Sequence, residues 1–271
     1  MNNRIEFGRY NLLPPVVKNL LIINVLFFIA TFVFQQTKNI DFNTIMGLHY
    51  LEAPNFKIWQ IFTYMFMHGS FTHLFFNMFA LWMFGSTIEN VWGAKRFLLY
   101  YFITGIGAAI LHYVVIYFQI APDLTLFNQF LDNPTIETYK TLTSNFSAGQ
   151  VKIVLENNLQ IFENNTTSIT DLSIATATIK DSFLNSFNVV GASGSVFGLL
   201  LAFGMLFPNS VIYIYFLFPL KAKWFVVIYG ALELFLGVSG TSDGIAHFAH
   251  LGGMLFGIFL ILYWKKKRDL Y

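Results

Sequence analysis

Four polar side chains lie near the ends of apolar segments and together have the composition of a nucleophilic catalytic site. Ser193 belongs to a Gly-Ala-Ser-Gly motif that starts at Gly191, where a polar stretch gives way to an apolar one. His250 lies within a second apolar stretch, and His73 and Asn77 open a third. A serine hydroxyl becomes a useful nucleophile when a neutral histidine accepts its proton, and hydrogen-bond donors stabilise the oxyanion that forms. We predict that these segments pack together and surround one reacting bond.

The serine motif by itself has other interpretations. A Gly-x-Ser-x-Gly nucleophile elbow requires a preceding strand and a final glycine, and Ser195 stands in that last position, so this type is excluded. Gly191, Gly194 and Gly198 could instead form, with Ser193, a face of small residues on which membrane helices pack closely. If Ser193 begins a helix, the free N–H groups and the positive end of the helix dipole would favour a negatively charged intermediate.

The histidine segment has a matching face. His250, Gly253 and Gly257 follow at steps of three and four, so they share one side of a helix, which could press on the glycine face of the serine segment. His247, one turn earlier, remains a competing base, although it lacks glycines at the same spacing and is expected nearer the surface. Asp243 lies near the outer end of the segment, and no aspartate has an obvious position to orient the histidine. We therefore predict a dyad rather than a triad.

His73 and Asn77 are four residues apart and share one face of a helix. Polar residues in membrane helices often form interhelical hydrogen bonds, which is one interpretation of this pair. The other is that both side chains supplement the Ser193 backbone N–H as donors to a tetrahedral oxyanion.

Two further chemistries remain open at this point. His68, His73, His247 and His250 could supply nitrogen ligands, but no carboxylate or cysteine stands at ligand spacing in the same segments, so we expect no metal and no cofactor. Glu233 lies inside another apolar segment. An acid within a membrane can mark an ion or proton route, so an ion-coupled transporter is an alternative, as is a simple pairing with a neighbouring helix.

Composition indicates a polytopic membrane protein, because 56% of the 271 residues are hydrophobic and only 11% are charged. A bilayer core needs roughly 20 apolar residues for each helical span. Six spans are predicted, at 16–34, 71–90, 95–118, 192–207, 222–238 and 244–264. The aromatic loop 35–70 is expected to lie partly in the membrane interface, and the polar segment 119–190 to form an insertion outside the membrane with short amphipathic helices.

Basic residues orient these spans. An even number of spans places both termini on the same side of the membrane. Most of the basic residues fall on that side: Arg4, Arg9, Lys18, Lys95, Arg96, Lys221, Lys223, Lys265, Lys266, Lys267 and Arg268. By the positive-inside rule both termini are cytoplasmic, and Ser193 and the insertion lie on the other side. The first residues show no small-residue cleavage site, so the first span is expected to be retained. A net charge of +2 gives no indication of nucleic acid, and the chain has no cysteine.

Taken together, these motifs resemble those of the rhomboid intramembrane serine proteases. The family's Gly-x-Ser-Gly motif, which opens its fourth span, stands here at Gly191 to Gly194, and its His-x-x-Gly-x-x-x-Gly motif matches His250, Gly253 and Gly257. The histidine and asparagine that open its second span are matched by His73 and Asn77. The resemblance implies a bundle of six transmembrane helices in a single rhomboid-like membrane domain over residues 1–271.

By this resemblance, Ser193 is the nucleophile, His250 is the general base, and His73 and Asn77 form the oxyanion hole with the Ser193 backbone. Phe197 stands where the family has an aromatic residue, often tyrosine, that stacks on the catalytic histidine. The family's Trp-Arg dipeptide of the first loop appears here as Trp59-Gln60, and the insertion 119–190 is additional to the family core.

The activity that the resemblance implies is hydrolysis of a peptide bond in or near the transmembrane helix of a membrane-protein substrate. The partners are then substrate helices and the lipid bilayer, in a bacterial inner membrane. The loop 239–243 is a candidate lid over the polar cavity. A catalytically inactive relative that binds transmembrane helices is the main alternative, although such relatives usually lack the serine or the histidine.

Overall fold

The computed structural model describes residues 10–147, 149–164, 168–214, 217–240 and 245–267. These residues form two compact units. The first contains the described residues within Met1–Gly47, Trp59–His112 and Val189–Tyr271, and the second those within Leu48–Ile58 and Tyr113–Asn188. Every predicted site residue belongs to the first unit.

Helices make up most of the first half of the chain. Its elements are α1 (Pro15–Lys38), α2 (Phe42–Met46), β1 (Leu48–His49), α3 (Gln60–Thr63), α4 (Phe71–Ala80), α5 (Ser86–Trp92) and α6 (Ala94–Asp132). A 3-10 turn at Tyr64–Phe66 follows α3, and a π-helical turn at Leu81–Gly85 joins α4 to α5.

The second half continues with α7 (Ile136–Asn145), α8 (Gln150–Glu163), α9 (Ile169–Asn185), β2 (Asn188–Val189), α10 (Ser193–Leu206), β3 (Val211–Ile214), β4 (Phe218–Lys221), α11 (Ala222–Ser239) and α12 (His247–Lys266). The strands β3 and β4 form an antiparallel hairpin in which Val211 is opposite Lys221. Within the described residues, four helices, α1, α6, α11 and α12, are long and apolar enough to cross a membrane, and α10 is a shorter apolar helix. The predicted all-α polytopic class is confirmed.

The third apolar helix is longer than the predicted span 95–118, since α6 continues to Asp132 and takes up the first part of the predicted insertion. Phe127 and Phe130, three residues apart on this extension, are both fully buried. The apolar face of α6 therefore continues past residue 118, where the chain is no longer hydrophobic enough to be predicted as a membrane span.

Helix α10 lies at the centre of the first unit, because ten of its 14 residues are buried. The helices α1 and α11 have only 22% and 17% of their most apolar stretches buried, so most of their side chains face outward, as expected for contact with lipid. With about 1.5 Å per residue, α10 is about 21 Å long and shorter than the hydrocarbon core of a bilayer. Its N-terminal residue, Ser193, would therefore lie below the membrane surface if its other end reached the opposite face.

Glycines bring α10 and α12 into backbone contact. A Cβ at Gly253 would overlap the carbonyl group of Gly194, so a larger residue could not occupy this position without separating the two helices. The other two positions of the predicted glycine face differ from each other. Gly198 faces the side chain of Thr104 on α6, whereas a Cβ at Gly257 would contact both the hydroxyl of Tyr100 on α6 and, at 3.3 Å, the side chain of Leu201 on α10. Gly194 and Gly253 form the direct glycine contact between the serine and histidine helices.

The second unit has a hydrophobic core of its own. Its buried members are Phe127, Phe130, Tyr139, Leu142, Phe146, Leu155 and Leu172. Capping boxes start two of its helices, with Thr135 at α7 and Ser168 at α9, and satisfy backbone N–H groups that would otherwise lack partners. The hydroxyl of Tyr139 donates to the carbonyl oxygen of Leu155, 3.0 Å away, and so joins α7 to α8.

Candidate active site

The turn before α10 is fixed by backbone hydrogen bonding. The N–H of Gly191 donates to the carbonyl oxygen of Tyr64 at 2.9 Å, and the hydroxyl of Tyr64 donates to the carbonyl oxygen of Gly105 at 2.6 Å. Gly191 has a φ of 128°, a conformation that residues with a Cβ rarely adopt. The chain then enters α10 at Ser193, whose backbone N–H is among those at a helix start that have no carbonyl partner within the helix.

The side chains of His73 and Ser193 both lie beside Gly191. A Cβ at Gly191 would lie 2.8 Å from the Nε2 atom of His73 and 3.7 Å from the Oγ atom of Ser193. Because glycine has no Cβ, the imidazole of His73 can pack directly against the turn that precedes α10. A substrate carbonyl whose carbon approached the Ser193 hydroxyl would then have this imidazole as a neighbouring hydrogen-bonding group.

Asn77 lies on the same face of α4 as His73 and is 5% exposed. Its Nδ2 atom donates to the carbonyl oxygen of His73 at 2.9 Å. This bond uses one of the two amide hydrogens and leaves the other for an oxyanion. The backbone N–H of His73 donates to the hydroxyl of Ser70, which caps the start of α4 and fixes where His73 stands on the helix.

His250 is held by contacts on its face and at one nitrogen. Its ring stacks on that of Phe197, with centroids 4.1 Å apart and planes 5° from parallel. Its Nδ1 atom lies 2.9 Å from the Oε2 atom of Glu233 on α11.

No hydrogen bond joins the Ser193 hydroxyl to His250 among the residues that the structure describes. The helices that carry these two residues nevertheless pack at this level, because a Cβ at Gly194 would lie 3.6 Å from the carbonyl oxygen of Ala249. Catalytic hydrogen bonds are often long in an unliganded enzyme and shorten when substrate binds.

The dyad remains a prediction, but the structure places beside His250 a carboxylate that the sequence analysis did not assign to it. This carboxylate, Glu233, comes from a different span from the one that carries the histidine. Asp243, the acid considered there, lies outside the described residues, as do positions 241–243 of the candidate lid. His247, expected nearer the membrane surface than His250, is the first residue of α12. It is 4% exposed, and its Nδ1 atom lies 2.7 Å from the same oxygen of Glu233.

The histidine segments contain no carboxylate at ligand spacing, but packing of α11 on α12 brings one from another helix. Glu233, His247 and His250 are all buried, and each offers one ligand atom within 4.8 Å of the others, so the group could hold a metal ion. The two hydrogen bonds to Glu233 give the same three side chains a shared arrangement that requires no ion.

Three nearby polar residues are used for packing. Ser195, the other hydroxyl of the motif, is 1% exposed and donates to the carbonyl oxygen of Tyr101 at 2.6 Å. Gln60, which stands where the family has an arginine, is buried, and its amide donates to the carbonyl oxygen of Ile45 at 3.1 Å, so this side chain joins α3 to α2. The ring of His68 lies edge-on to that of His73, with centroids 5.0 Å apart.

Comparison with known proteins identifies the family. A family model described as the rhomboid domain matches residues 55–120 and 160–267. The rhomboid protease GluP of Bacillus subtilis (strain 168) is 39% identical over 56 residues, which are 21% of this chain and 11% of that protein. YdcA of the same strain, provisionally named a rhomboid protease, is 36% identical over 72 residues, 27% of this chain and 36% of YdcA.

A eukaryotic relative is also similar: Rhomboid-like protease 3 of Toxoplasma gondii is 28% identical over 85 residues, which are 30% of this chain and 32% of that protein. Each of the three matches therefore covers less than two fifths of the relative's length. The family model, in contrast, matches more than half of this chain. The chain belongs to the rhomboid family, a family of intramembrane proteases that also includes inactive members.

Proposed function

We propose that this protein is an intramembrane serine endopeptidase in which Ser193 is the nucleophile and His250 the general base. The observation that carries the proposal is that the Nε2 atom of His73 and the hydroxyl of Ser193 both lie beside Gly191, at the turn that precedes α10. Stacking of His250 on Phe197 supports the same assignment, since it restrains the ring of the base.

In the proposed reaction the Oγ atom of Ser193 attacks the substrate's carbonyl carbon and its proton passes to the Nε2 atom of His250. The carbonyl oxygen becomes an oxyanion that the side chains of His73 and Asn77 and the Ser193 backbone N–H stabilise. The C–N bond then breaks, and the departing amine takes the proton from His250. Water adds to the acyl-serine with His250 again accepting a proton, and cleavage of the ester restores the serine hydroxyl.

The substrate that fits this site is a transmembrane helix of another membrane protein. Its peptide carbonyl must reach Ser193 in an extended conformation, so the helix has to unwind locally. Glycine and other residues of low helix propensity near the cut would lower the cost of unwinding. The broken backbone hydrogen bonds would need polar partners, which lipid cannot supply but the polar groups of the site can.

A fluorophosphonate probe and a fluorogenic single-helix substrate with small residues near its outer end test the proposal. Purified wild-type protein should react with both, and Ser193→Ala should react with neither while keeping the same melting temperature. Ser195→Ala is the matched control: it removes the neighbouring hydroxyl and one internal hydrogen bond, and should retain labelling. Cleavage by the Ser193→Ala variant would reject the assignment.

We also propose that both termini are cytoplasmic and that Ser193 lies towards the outer side of a bacterial inner membrane. Lys265, Lys266 and Lys267 at the end of α12 support this orientation through the positive-inside rule. Since the chain has no cysteine, single cysteines report sidedness directly. In intact cells an impermeant maleimide should label Glu137→Cys and leave Lys267→Cys unlabelled, and the opposite pattern would reverse the orientation.

A further inference from the structure

Glu233 is an acid in the middle of α11, and its side chain is buried between two histidines of α12. It is 6% exposed, and one of its oxygens is 2.7 Å from the Nδ1 atom of His247 and 2.9 Å from that of His250. An ionised carboxylate can only accept hydrogen bonds, so at an ionised Glu233 both histidines donate their Nδ1–H groups. Two donors to a single oxygen compensate a charge that would otherwise be costly in this surrounding.

This arrangement determines which nitrogen of His250 can act as a base. With the proton on Nδ1 and directed at Glu233, the lone pair of a neutral imidazole is on Nε2. The stacked ring of Phe197, 4.1 Å away, restrains the plane of the imidazole, and Glu233 then fixes its rotation within that plane. Together these two contacts restrict the imidazole of His250 to one orientation and one tautomer.

We propose that Glu233 is a positioning residue that holds His250 in the tautomer and orientation needed to accept the proton of Ser193. The proposal rests on the proposed function, because it assigns Glu233 a role in the same reaction. Glu233 stays ionised throughout: when Nε2 receives the serine proton, the carboxylate stabilises the resulting imidazolium without taking a proton from it.

His247 has a secondary part in this arrangement. Its Nδ1–H shares the carboxylate oxygen with His250, so it holds Glu233 in place and is a poor candidate for the base itself. His250 is the histidine that stacks on Phe197. Loss of His247 should therefore affect catalysis less than loss of Glu233.

The test is the rate at which a fluorophosphonate labels the purified full-length protein. In Glu233→Gln, which keeps the shape of the side chain but removes its charge, the maximal labelling rate should fall by about 10²- to 10⁴-fold. The probe concentration that gives half of the maximal rate should change less than about twofold. His247→Gln, whose amide can still donate to Glu233, is the matched control and should keep the rate within about tenfold.

A double variant separates positioning from a general loss of structure. If Glu233 acts through His250, then Glu233→Gln added to His250→Ala should slow labelling no further, because the base on which it acts is already absent. Equal rates for His250→Ala and the double variant would support the proposal. A further fall of the size seen with the single Glu233→Gln variant would overturn it.

The remaining outcomes are also decisive. Loss of labelling in Ser193→Ala together with wild-type labelling in Glu233→Gln would reject the role of Glu233 and leave the proposed function intact, whereas cleavage by Ser193→Ala would reject both.

The side chains of Glu233, His247 and His250 could instead bind a metal. Stoichiometric zinc in the purified protein that disappears in Glu233→Gln, with labelling abolished by a chelator and restored by zinc, would overturn the positioning role.

Discussion

Gly191 contributes to the site because it has no side chain. Its φ of 128° is strained for any residue with a Cβ, and that Cβ would lie 2.8 Å from two atoms of the His73 ring. In Gly191→Ala the imidazole must move or the turn before Ser193 must change. Either movement removes an oxyanion donor, so we expect fluorophosphonate labelling to slow by at least about 100-fold.

A second glycine provides the control for this prediction. Gly69, two residues before the start of α4, has open space where a Cβ would be added and does not have a positive φ. Gly69→Ala should label at the wild-type rate and melt at the wild-type temperature. Normal labelling of Gly191→Ala would mean that the close packing of His73 against this residue is not needed for the reaction.

His68 should make the stability of the protein depend on pH. It is 1% exposed, and burial, followed by the nearby charge of His73, lowers its pKa from 6.5 to about 3. Between these values the unfolded chain binds a proton that the folded protein does not, so the free energy of unfolding decreases as the pH falls from 6.5 towards 3. The contribution is at most about 1.4 kcal/mol for each pH unit and is absent above pH 6.5.

Thermal unfolding in detergent at a series of pH values measures this effect. The melting temperature of His68→Asn should decline less steeply than that of the wild type between pH 6.5 and 4, and the two slopes should agree between pH 7 and 9. Parallel slopes throughout would show that the protonation of His68 is not linked to folding.

At the scale of elements, a side chain from α5 caps the start of α1. The two carboxylate oxygens of Glu89 accept hydrogen bonds from the N–H groups of Val16 and Val17, at 3.0 and 2.8 Å. These N–H groups lie in the first turn of α1 and have no carbonyl partner within the helix. Glu89 is 4% exposed, so water cannot easily replace it.

Glu89→Ala should therefore lower the free energy of unfolding by about 2–4 kcal/mol, because it leaves two backbone donors without partners in a buried position. Chemical unfolding in mixed micelles, followed by circular dichroism, measures the change. Glu156→Ala, which removes the same charge from an exposed position on α8, should have little effect. Equal effects of the two substitutions would indicate that net charge, and not capping, is responsible.

The packing of these elements also explains what the sequence could and could not predict. The apolar helices and the contact of Gly194 with Gly253 follow from local features: the length of a hydrophobic run and the spacing of small residues. Glu233 was visible as an acid within a span, but its partner depends on how α11 is rotated against α12, which the spacing along one helix does not determine. For the same reason Gly198 was assigned to α12, although it faces α6.

At the scale of the whole molecule, the described residues divide their functions between two units. The proposed catalytic side chains all belong to the first, and the second encloses its own hydrophobic core. Its sequence gives little indication of a role, but its packing has a testable consequence. A cavity made in one core should reduce the stability of the unit that contains it.

Leu142 in the second unit and Leu199 on α10 in the first are both fully buried, and they form a matched pair for this test. Truncation of a buried leucine to alanine costs about 2–5 kcal/mol. In Leu142→Ala, hydrogen exchange should accelerate at the amides of α7, α8 and α9, while α10 and α12 stay protected and Ser193 still reacts with a fluorophosphonate. Leu199→Ala should give the reverse pattern. If both variants lost protection at the same amides, the two cores would unfold as one cooperative structure, and folding of the second unit would then be a requirement for catalysis in the first.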